Sequence, residues 1–208
     1  MRVLITGSNG QLGSEIKELA TNYKKLNFIY KDLPDLDICN FKVLYAFIAD
    51  NNIDAVINCA AYTSVDKAEE ESIIATQVNY EGVLNIVKAL ESVNGKLIHI
   101  STDYVFDGNH FLPYKENDPV SPCGVYGEAK RKGELSVMNS DIDSIVIRTS
   151  WLYSSYGNNF VKKMLHLGND KEKLGVIFDQ VGTPTYARDL AKTCLEILCQ
   201  NSFENISK

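Results

Sequence analysis

The first twenty residues decide what kind of fold this chain can adopt. Arg2-Val-Leu-Ile-Thr6 is a short β-branched apolar run, Gly7-Ser-Asn-Gly10-Gln-Leu-Gly13 interrupts it at once, and Leu12, Ile16, Leu19 and Ala20 then recur at helical spacing. The order is strand, glycine loop, helix. Glycines permit a tight turn, close approach of the backbone to a pyrophosphate and close packing of helix on strand, while the helix N-terminus offers free N–H donors and a partial positive charge. Gly7, Asn9, Gly10, Gln11, Leu12 and Gly13 are the candidates for that contact, although their spacing is G-x-x-G-x-x-G instead of the commoner G-x-G-x-x-G. Asn27-Phe-Ile-Tyr-Lys31 reads as a second strand that ends on Asp32, about twenty residues beyond the glycines, where a carboxylate can accept hydrogen bonds from an adenosine ribose. The alternative is a structural turn followed by an unrelated acid.

The remainder repeats the alternation. Asp54–Asn58, Leu97–Ile100, Ser144–Arg148 and Gly175–Phe178 read as short, mainly apolar strands, as strands covered on both faces should be; Phe41–Ala49, Ile73–Leu90, Tyr126–Val137, Asn159–Leu167 and Ala187–Cys199 read as helices. This implies an α/β fold, a doubly wound, Rossmann-like parallel sheet with right-handed crossovers and ligands bound outside the carboxyl ends of the strands. Gly7, Asp32, Asn58 with Cys59-Ala60-Ala61, and Ser101-Thr102 all fall there. No linker or repeat divides the 208 residues, so residues 1–208 are expected to form one domain.

A net charge of −6, with no run of basic residues alternating with aromatics, argues against a nucleic-acid partner. No apolar stretch approaches the ~20 residues of a membrane span, and the N-terminus is too short for a signal sequence; a cytoplasmic protein is expected. Cys39, Cys59, Cys123, Cys194 and Cys199 are odd in number and contain no C-x-x-C, which favours reduced thiols. His99, His110 and His166 lie far apart, so no metal site is expected, and His99 reads as a satisfied strand histidine.

Ser121-Pro-Cys-Gly-Val-Tyr126-Gly-Glu-Ala-Lys130 sets a tyrosine and a lysine on one helical face. Ser121 is the expected N-cap and Pro122 suits the first helical position. A phenol of pKa ~10 that donates and accepts protons near neutrality needs a nearby cation. Lys130 is placed to be that cation. Lowering the phenol by ~3 units takes roughly 4 kcal/mol, within reach of one ammonium plus a positively charged nicotinamide in a partly dry site. The bland reading is a surface pair.

Taken together, the glycine loop, the Tyr126-Lys130 pair, Asn58-Cys-Ala-Ala-Tyr-Thr-Ser-Val-Asp-Lys-Ala-Glu69, Ser101-Thr-Asp-Tyr-Val-Phe-Asp-Gly108, Arg148-Thr-Ser-Trp-Leu-Tyr153 and Asp179-Gln-Val-Gly-Thr-Pro-Thr185 resemble an extended short-chain dehydrogenase/reductase of the sugar-nucleotide-modifying branch. The narrower likeness is to the dTDP-4-dehydrorhamnose reductase family, from Arg2 to about Asp189-Leu190. That resemblance implies reduction of the C4 keto group of dTDP-4-dehydro-L-rhamnose to dTDP-L-rhamnose by NADPH or NADH. It makes Thr102 the binder of the substrate carbonyl, Tyr126 the proton donor, and Lys130 the residue that holds the nicotinamide ribose and lowers the tyrosine pKa. It also places Asp37 and Ile38 beside the adenine, Ala60, Ala61 and Tyr62 on the cofactor-lining turn, and counts Asn79 with the cofactor-binding residues, as a helix residue that supports the active site. Val65, Tyr104 and Trp151 would touch the sugar or its base, and Asp103 would orient Thr102 or the phenols, or cap the turn. Asp32 favours NADH and Lys31 partly compensates toward NADPH, so use of both is expected. The acidic run Asp66-Lys-Ala-Glu-Glu-Glu71 reads as a solvated helix start.

Family members continue beyond the last helix, whereas this sequence stops at Ile206-Ser-Lys208, so an incomplete C-terminal substrate lobe is expected, with parts of the substrate-binding region in about 150–190. The partner is a small-molecule sugar nucleotide, and a homodimer is left open. Two other readings share the fold: a sugar-nucleotide epimerase or epimerase-reductase, which needs a further acid/base pair at the sugar, and a non-catalytic binding module resembling the regulatory subunit of methionine adenosyltransferase.

Overall fold

The computed structural model describes residues 1–110, 112–176, 178, 180–200 and 203. Five strands, β1 (Arg2–Thr6), β2 (Asn27–Tyr30), β3 (Ala55–Asn58), β4 (Lys96–Thr102) and β5 (Asp143–Thr149), form one parallel sheet in the order β2-β1-β3-β4-β5. From β1 the chain moves first to β2 on one side and then to β3 on the other, so the topological switch lies between β1 and β3. The doubly wound arrangement expected from the alternating pattern is the one found.

Helices cover both faces: α1 (Gln11–Leu19), α2 (Phe41–Asp50), α3 (Ser72–Thr76), α4 (Gly82–Glu91), α5 (Val125–Met138), α6 (Phe160–Asp170) and α7 (Ala187–Gln200). Successive strand residues point to opposite faces, which divides the core in two. Val3, Ile5, Ile57 and Ile98 pack with Leu12 and Ile16 of α1 and Leu190, Cys194, Leu195 and Leu198 of α7. Leu4, Val56 and Leu97 pack with Leu44 and Ile48 of α2, Ile86 and Leu90 of α4 and Val137 of α5. Each such Leu or Ile contributes about 1.5–3 kcal/mol by leaving water, and because β3 is covered on both sides its four residues are all buried.

Between α3 and α4 the helix widens through a π-helical turn, Gln77–Glu81, that holds the buried Asn79. Two expectations fail at the level of local structure. Gly175, Val176 and Phe178 carry no strand, with Ile177 outside the described residues; Val176 and Phe178 are 52% and 94% exposed, so their apolar run packs against nothing that would make it a strand. The late strands are instead β6 (Leu152–Tyr153) and β7 (Thr185–Tyr186), a small parallel pair outside the main sheet. Nor does α5 begin at Ser121-Pro122. Ser121 N–H is bound to Val105 O at 3.0 Å, and the helix starts at Val125 after Gly124.

Candidate active site

The loops at the carboxyl ends of β1, β2, β3, β4 and β5 enclose a cleft of about 840 Å³. At its floor the glycine loop lies against the turn that follows β3. Gly7 has φ +60°, and a Cβ there would lie 2.6 Å from Ala60 N; one at Gly13 would lie 2.6 Å from Ser8 Cα. Neither position tolerates a side chain. Gly10, which precedes α1, has no side-chain cap, so the N–H groups of Gln11, Leu12 and Gly13 have no acceptor within the helix and remain for a ligand. These features fit a pyrophosphate, and with it a dinucleotide.

Asp32, just past β2, is fixed by both its oxygens: Asn9 N–H donates to one at 2.8 Å and Leu33 N–H to the other at 2.9 Å. Carboxylate oxygens have further lone pairs for a ribose. Asn9 thus acts through its backbone on Asp32 and does not line the cleft, while its side chain accepts from Lys17 Nζ at 3.0 Å. Lys31 lies over the Phe47 ring at 5.5 Å and 4.0 Å from Asp35. The compensation expected of it toward a 2′-phosphate is therefore opposed by a second acid. Asp37 accepts from Cys39 N–H at 2.8 Å and lines the cleft beside Ile38, whose side chain occupies the space a Cβ at Gly82 would need.

The turn after β3 is held from two sides. Asn58 Oδ1 accepts from Thr6 Oγ1 at 2.7 Å and from Ala60 N–H at 3.2 Å, and Asn58 Nδ2 donates to His99 Nδ1 at 3.1 Å, so the proton of a neutral imidazole sits on Nε2. His99 is fully buried, and burial, then the Lys130 charge, holds its pKa well below the usual range. It is a strand histidine as expected, but satisfied on one nitrogen, since Nε2 has no partner among the described residues. Further along, Asn79 Oδ1 accepts from Tyr62 N–H at 3.0 Å and Asn79 Nδ2 donates to Tyr62 O at 2.9 Å. Asn79 therefore stands behind the cleft and fixes Tyr62, which lines it with Ala60 and Ala61.

Thr102 ends β4 and caps the short turn Asp103–Val105 by accepting from Tyr104 N–H at 3.2 Å; its hydroxyl donates to Asp103 Oδ1 at 3.1 Å, which makes Asp103 an orienting partner. Tyr126 meets the edge of Tyr104 at 5.5 Å. The close approach of α5 to this turn requires Gly127, where a Cβ would lie 2.3 Å from Tyr104 O. Glu69 supplies the missing cap of α5 by accepting from Val125 N–H at 2.9 Å, a role that the solvated reading of the acidic run did not give it.

The charges depart from expectation. Burial pushes the Tyr126 phenol up to about 12, Thr102 pulls it down in part, and Asp103 and Tyr104 add to the rise. Lys130, 2% exposed, is turned to the Ile100 carbonyl at 2.6 Å and is itself brought down to about 8 by burial, against the pull of Glu134. Burial of the phenol is what sets its high value here, and the Lys130 ammonium, with one N–H on the Ile100 carbonyl, keeps its charge and two further donors. Behind it, Glu134 is fully buried in a two-pronged pair with Arg148, both contacts 2.8 Å, and accepts from Arg131 at 2.8 Å. Burial pushes Glu134 up, but the Arg148 and Arg131 hydrogen bonds outweigh it and hold the carboxyl below its usual value. Nothing in the sequence spacing joins Glu134 to Arg148; the only hint is a charge at the end of the apolar run Ser144-Ile-Val-Ile-Arg148.

Val65, Thr102, Asp103, Tyr104, Tyr126, Lys130 and Trp151 all face the one cleft. Trp151 stands in the left-handed region at φ +48°, uncommon for a bulky residue, and is held there by the Phe160 ring at 5.3 Å, by the Ser150 hydroxyl on Thr183 O at 2.8 Å and by Gly182 under its indole.

A doubly wound sheet with a glycine loop at its switch point and a Thr-Tyr-Lys cluster across one cleft defines the extended short-chain dehydrogenase/reductase class. The family model described as the RmlD substrate binding domain matches residues 1–206, and the dTDP-4-dehydrorhamnose reductase of Aggregatibacter actinomycetemcomitans is 42% identical over 196 residues, 94% of this chain and 67% of that protein. The chain belongs to this family of dTDP-4-dehydrorhamnose reductases. Among solved structures, the reductase of that name from Clostridium acetobutylicum has a TM-score of 0.93 at 43% identity, covering 97% of this chain and 71% of that one. The Bacillus anthracis reductase, solved in complex with NADP, has a TM-score of 0.91 at 40% identity, covering 95% and 70%. The chain spans about two thirds of the length of its curated relatives, the share being 66% for the Sinorhizobium fredii reductase.

Proposed function

We propose that this chain carries the cofactor half and the catalytic cluster of an NAD(P)H-dependent oxidoreductase that reduces the C4 keto group of dTDP-4-dehydro-L-rhamnose to dTDP-L-rhamnose. The observation that carries the reading is the convergence of Thr102, Tyr126 and Lys130 with the glycine loop and Asp32 on one cleft, in a chain about 40% identical to reductases of that name. When bound, reduced nicotinamide supplies the hydride. Gly7, Gly10, Gln11, Leu12 and Gly13 would hold its pyrophosphate, with Asn9 fixing Asp32 for the adenosine ribose, Asp37 and Ile38 beside the adenine and Ala60, Ala61 and Tyr62, backed by Asn79, along the cofactor. Lys130 would hold the nicotinamide ribose.

On substrate binding the Thr102 hydroxyl, which donates to Asp103 in the free cleft, turns its proton to the sugar C4 oxygen, and Tyr126 delivers a proton to that oxygen as negative charge develops. A phenol near 12 is fully protonated at neutral pH, and an alkoxide is a much stronger base than phenolate, so the transfer runs downhill. Preorganised donors of this kind are worth roughly 3–4 kcal/mol each in water-poor sites. Val65, Tyr104 and Trp151 form the sugar and base contacts, and Asp103 orients Thr102. The neighbour solved with NADP supports NADPH; Asp32 supports NADH, and both are taken to serve.

Residues 1–208 are read as one nucleotide-binding domain, with parts of the substrate-binding region in about 150–190, acting in the cytoplasm on a small sugar nucleotide. No helix among the described residues is long and apolar enough to cross a membrane. The test is oxidation of NADPH or NADH, followed at 340 nm, with a dTDP-4-keto-6-deoxyhexose as substrate. Dinucleotide binding without turnover, in a protein extended to the length of its relatives, would return the reading to a binding module.

A further inference from the structure

One wall of the cleft is tied to the helix on which the dinucleotide would rest. Asn159 Nδ2 donates to Gln11 Oε1 at 2.9 Å and to Ser154 O at 2.7 Å, while its Oδ1 accepts from Lys162 N–H at 3.0 Å and caps α6. One helical turn along α1, Glu15 Oε1 accepts from the Ser154 hydroxyl at 2.6 Å, and that hydroxyl oxygen accepts from Tyr156 N–H at 3.1 Å. The Tyr156 hydroxyl donates to Glu18. Arg188, at the start of α7, donates to Glu15 Oε2 at 3.2 Å and Glu18 Oε2 at 2.6 Å. The pieces fit closely: Gly157 is at φ +59°, and a Cβ there would lie 3.0 Å from Gln11 Cγ.

Glu15 and Ser154 are 1% and 5% exposed, and neither lines the cleft. A carboxylate so deep is costly to desolvate unless every partner is in place, which makes the network all-or-none and not a surface contact. Gln11 belongs to both systems. Its backbone N–H opens α1 toward the cleft, and its side chain holds Asn159, while Gly157, Asn158 and Asn159 themselves face the cleft.

We infer that Ser154 and Glu15 are positioning residues that couple the two halves of the cleft: a dinucleotide seated on the N-terminus of α1 orders residues 150–159, so that the sugar nucleotide meets a wall already in place. Fixing the wall before the second ligand arrives removes an ordering cost from that second step, and the coupling is positive and reciprocal. The inference rests on the dinucleotide reading above.

Hydrogen exchange of the full chain, read by mass spectrometry with and without NADPH and no sugar nucleotide, tests it. In the wild type NADPH should slow exchange about tenfold in residues 7–16 and in residues 150–160. Ser154→Ala, and independently Glu15→Leu, which has no acceptor for the Ser154 hydroxyl, should keep the first protection and lose the second, with Ser154→Thr in place of Ser154→Ala retaining it. In turnover assays the two variants should raise KM for the sugar nucleotide about tenfold while KM for NADPH stays within about twofold. Protection of 150–160 that survives in both variants would mean that NADPH touches the wall directly, and would overturn the coupling. So would wild-type protection confined to 7–16. Protection of neither segment would overturn the dinucleotide reading itself, and the coupling with it.

Discussion

Gly127→Ala sets helix propensity against catalytic geometry. In an open helical site the change would stabilise by up to about 1 kcal/mol. Here the added Cβ would lie 2.3 Å from Tyr104 O and 3.0 Å from Pro122 Cβ, whereas a carbon normally stops at about 3.3 Å from a carbonyl oxygen, so helix and turn must part by about 1 Å. Overpacking of this kind costs about 1–3 kcal/mol, and net destabilisation of about 1–2 kcal/mol follows. The larger effect falls on chemistry. The clash lies between the two elements that carry the reacting groups, Tyr126 on α5 and Thr102 as cap of the turn containing Tyr104. A displacement of about 1 Å between catalytic groups costs on the order of 100-fold in rate.

Urea unfolding gives the stability, NADPH titration the cofactor affinity, and steady-state kinetics the rate; affinity should fall far less than the rate, because Gly7, Asp32 and α1 lie elsewhere and of the cofactor contacts outside the reacting phenol only Lys130 rides on the displaced helix. Gly168→Ala is the control. That position lies inside α6 with nothing within 4 Å of a Cβ, and it should gain up to about 1 kcal/mol with no change in rate. A Gly127→Ala protein with wild-type kcat would refute the argument that the close approach of α5 to the Tyr104 carbonyl sets the phenol.

Tyr126→Phe should lower kcat by about 10²–10⁴-fold and leave NADPH affinity nearly unchanged, as measured by turnover and calorimetry, since the phenol acts in the transition state. Asp32→Ala should raise kcat/KM for NADPH relative to NADH by about tenfold, one like-charge contact near the surface being worth about 1–2 kcal/mol, and an unaltered ratio would remove Asp32 from the ribose site. Lys130 is held at about 8 against an ordinary 10.5, so below 8 both states carry the proton and the folded state bears the full cost, while between 8 and 10.5 the unfolded chain binds more protons. Wild-type stability, measured in urea, should therefore rise relative to Lys130→Met from about pH 8 to about pH 10, by up to ~3 kcal/mol at about 1.4 kcal/mol per pH unit; a difference independent of pH would show that Lys130 is not the buried group.

What the sequence revealed was local. The run from Arg2 to Ala20 carries strand, loop and helix within one unbroken stretch, and the apolar periodicity of Phe41–Ala49 and Ala187–Cys199 survives nearly unchanged in α2 and α7. Where a local signal had a distant competitor, it misled. Ser121-Pro122 has the form of a helix start, yet the Ser121 N–H is bound to Val105 and the cap comes from Glu69, 56 residues before Val125. The apolar run at Val176 and Phe178 has the composition of a strand, but a strand needs a neighbour, and the pairing at this end of the chain goes to Leu152–Tyr153 and Thr185–Tyr186.

The same distinction runs through the site. Spacing alone placed Tyr126 and Lys130 on one face, and the structure keeps both on the cleft; it could not show that Lys130 has a nearer acceptor in Ile100 O, because that carbonyl belongs to a strand 30 residues away. The consequence is chemical. Burial leaves a phenol near 12, which suits a group that gives its proton to an alkoxide and ill suits one that must take a proton from an alcohol. Glu134 works in the same direction from behind: its charge, held by Arg148 and Arg131, opposes the fall in the Lys130 pKa and so helps to keep the ammonium charged near neutrality. Burial of the first three turns of α5 thus sets the protonation of the acid and of the cation together, and it is the long-range contacts of Val125, Gly127, Lys130 and Glu134, with Glu69, Tyr104, Ile100 and Arg148, that set how deep the helix lies.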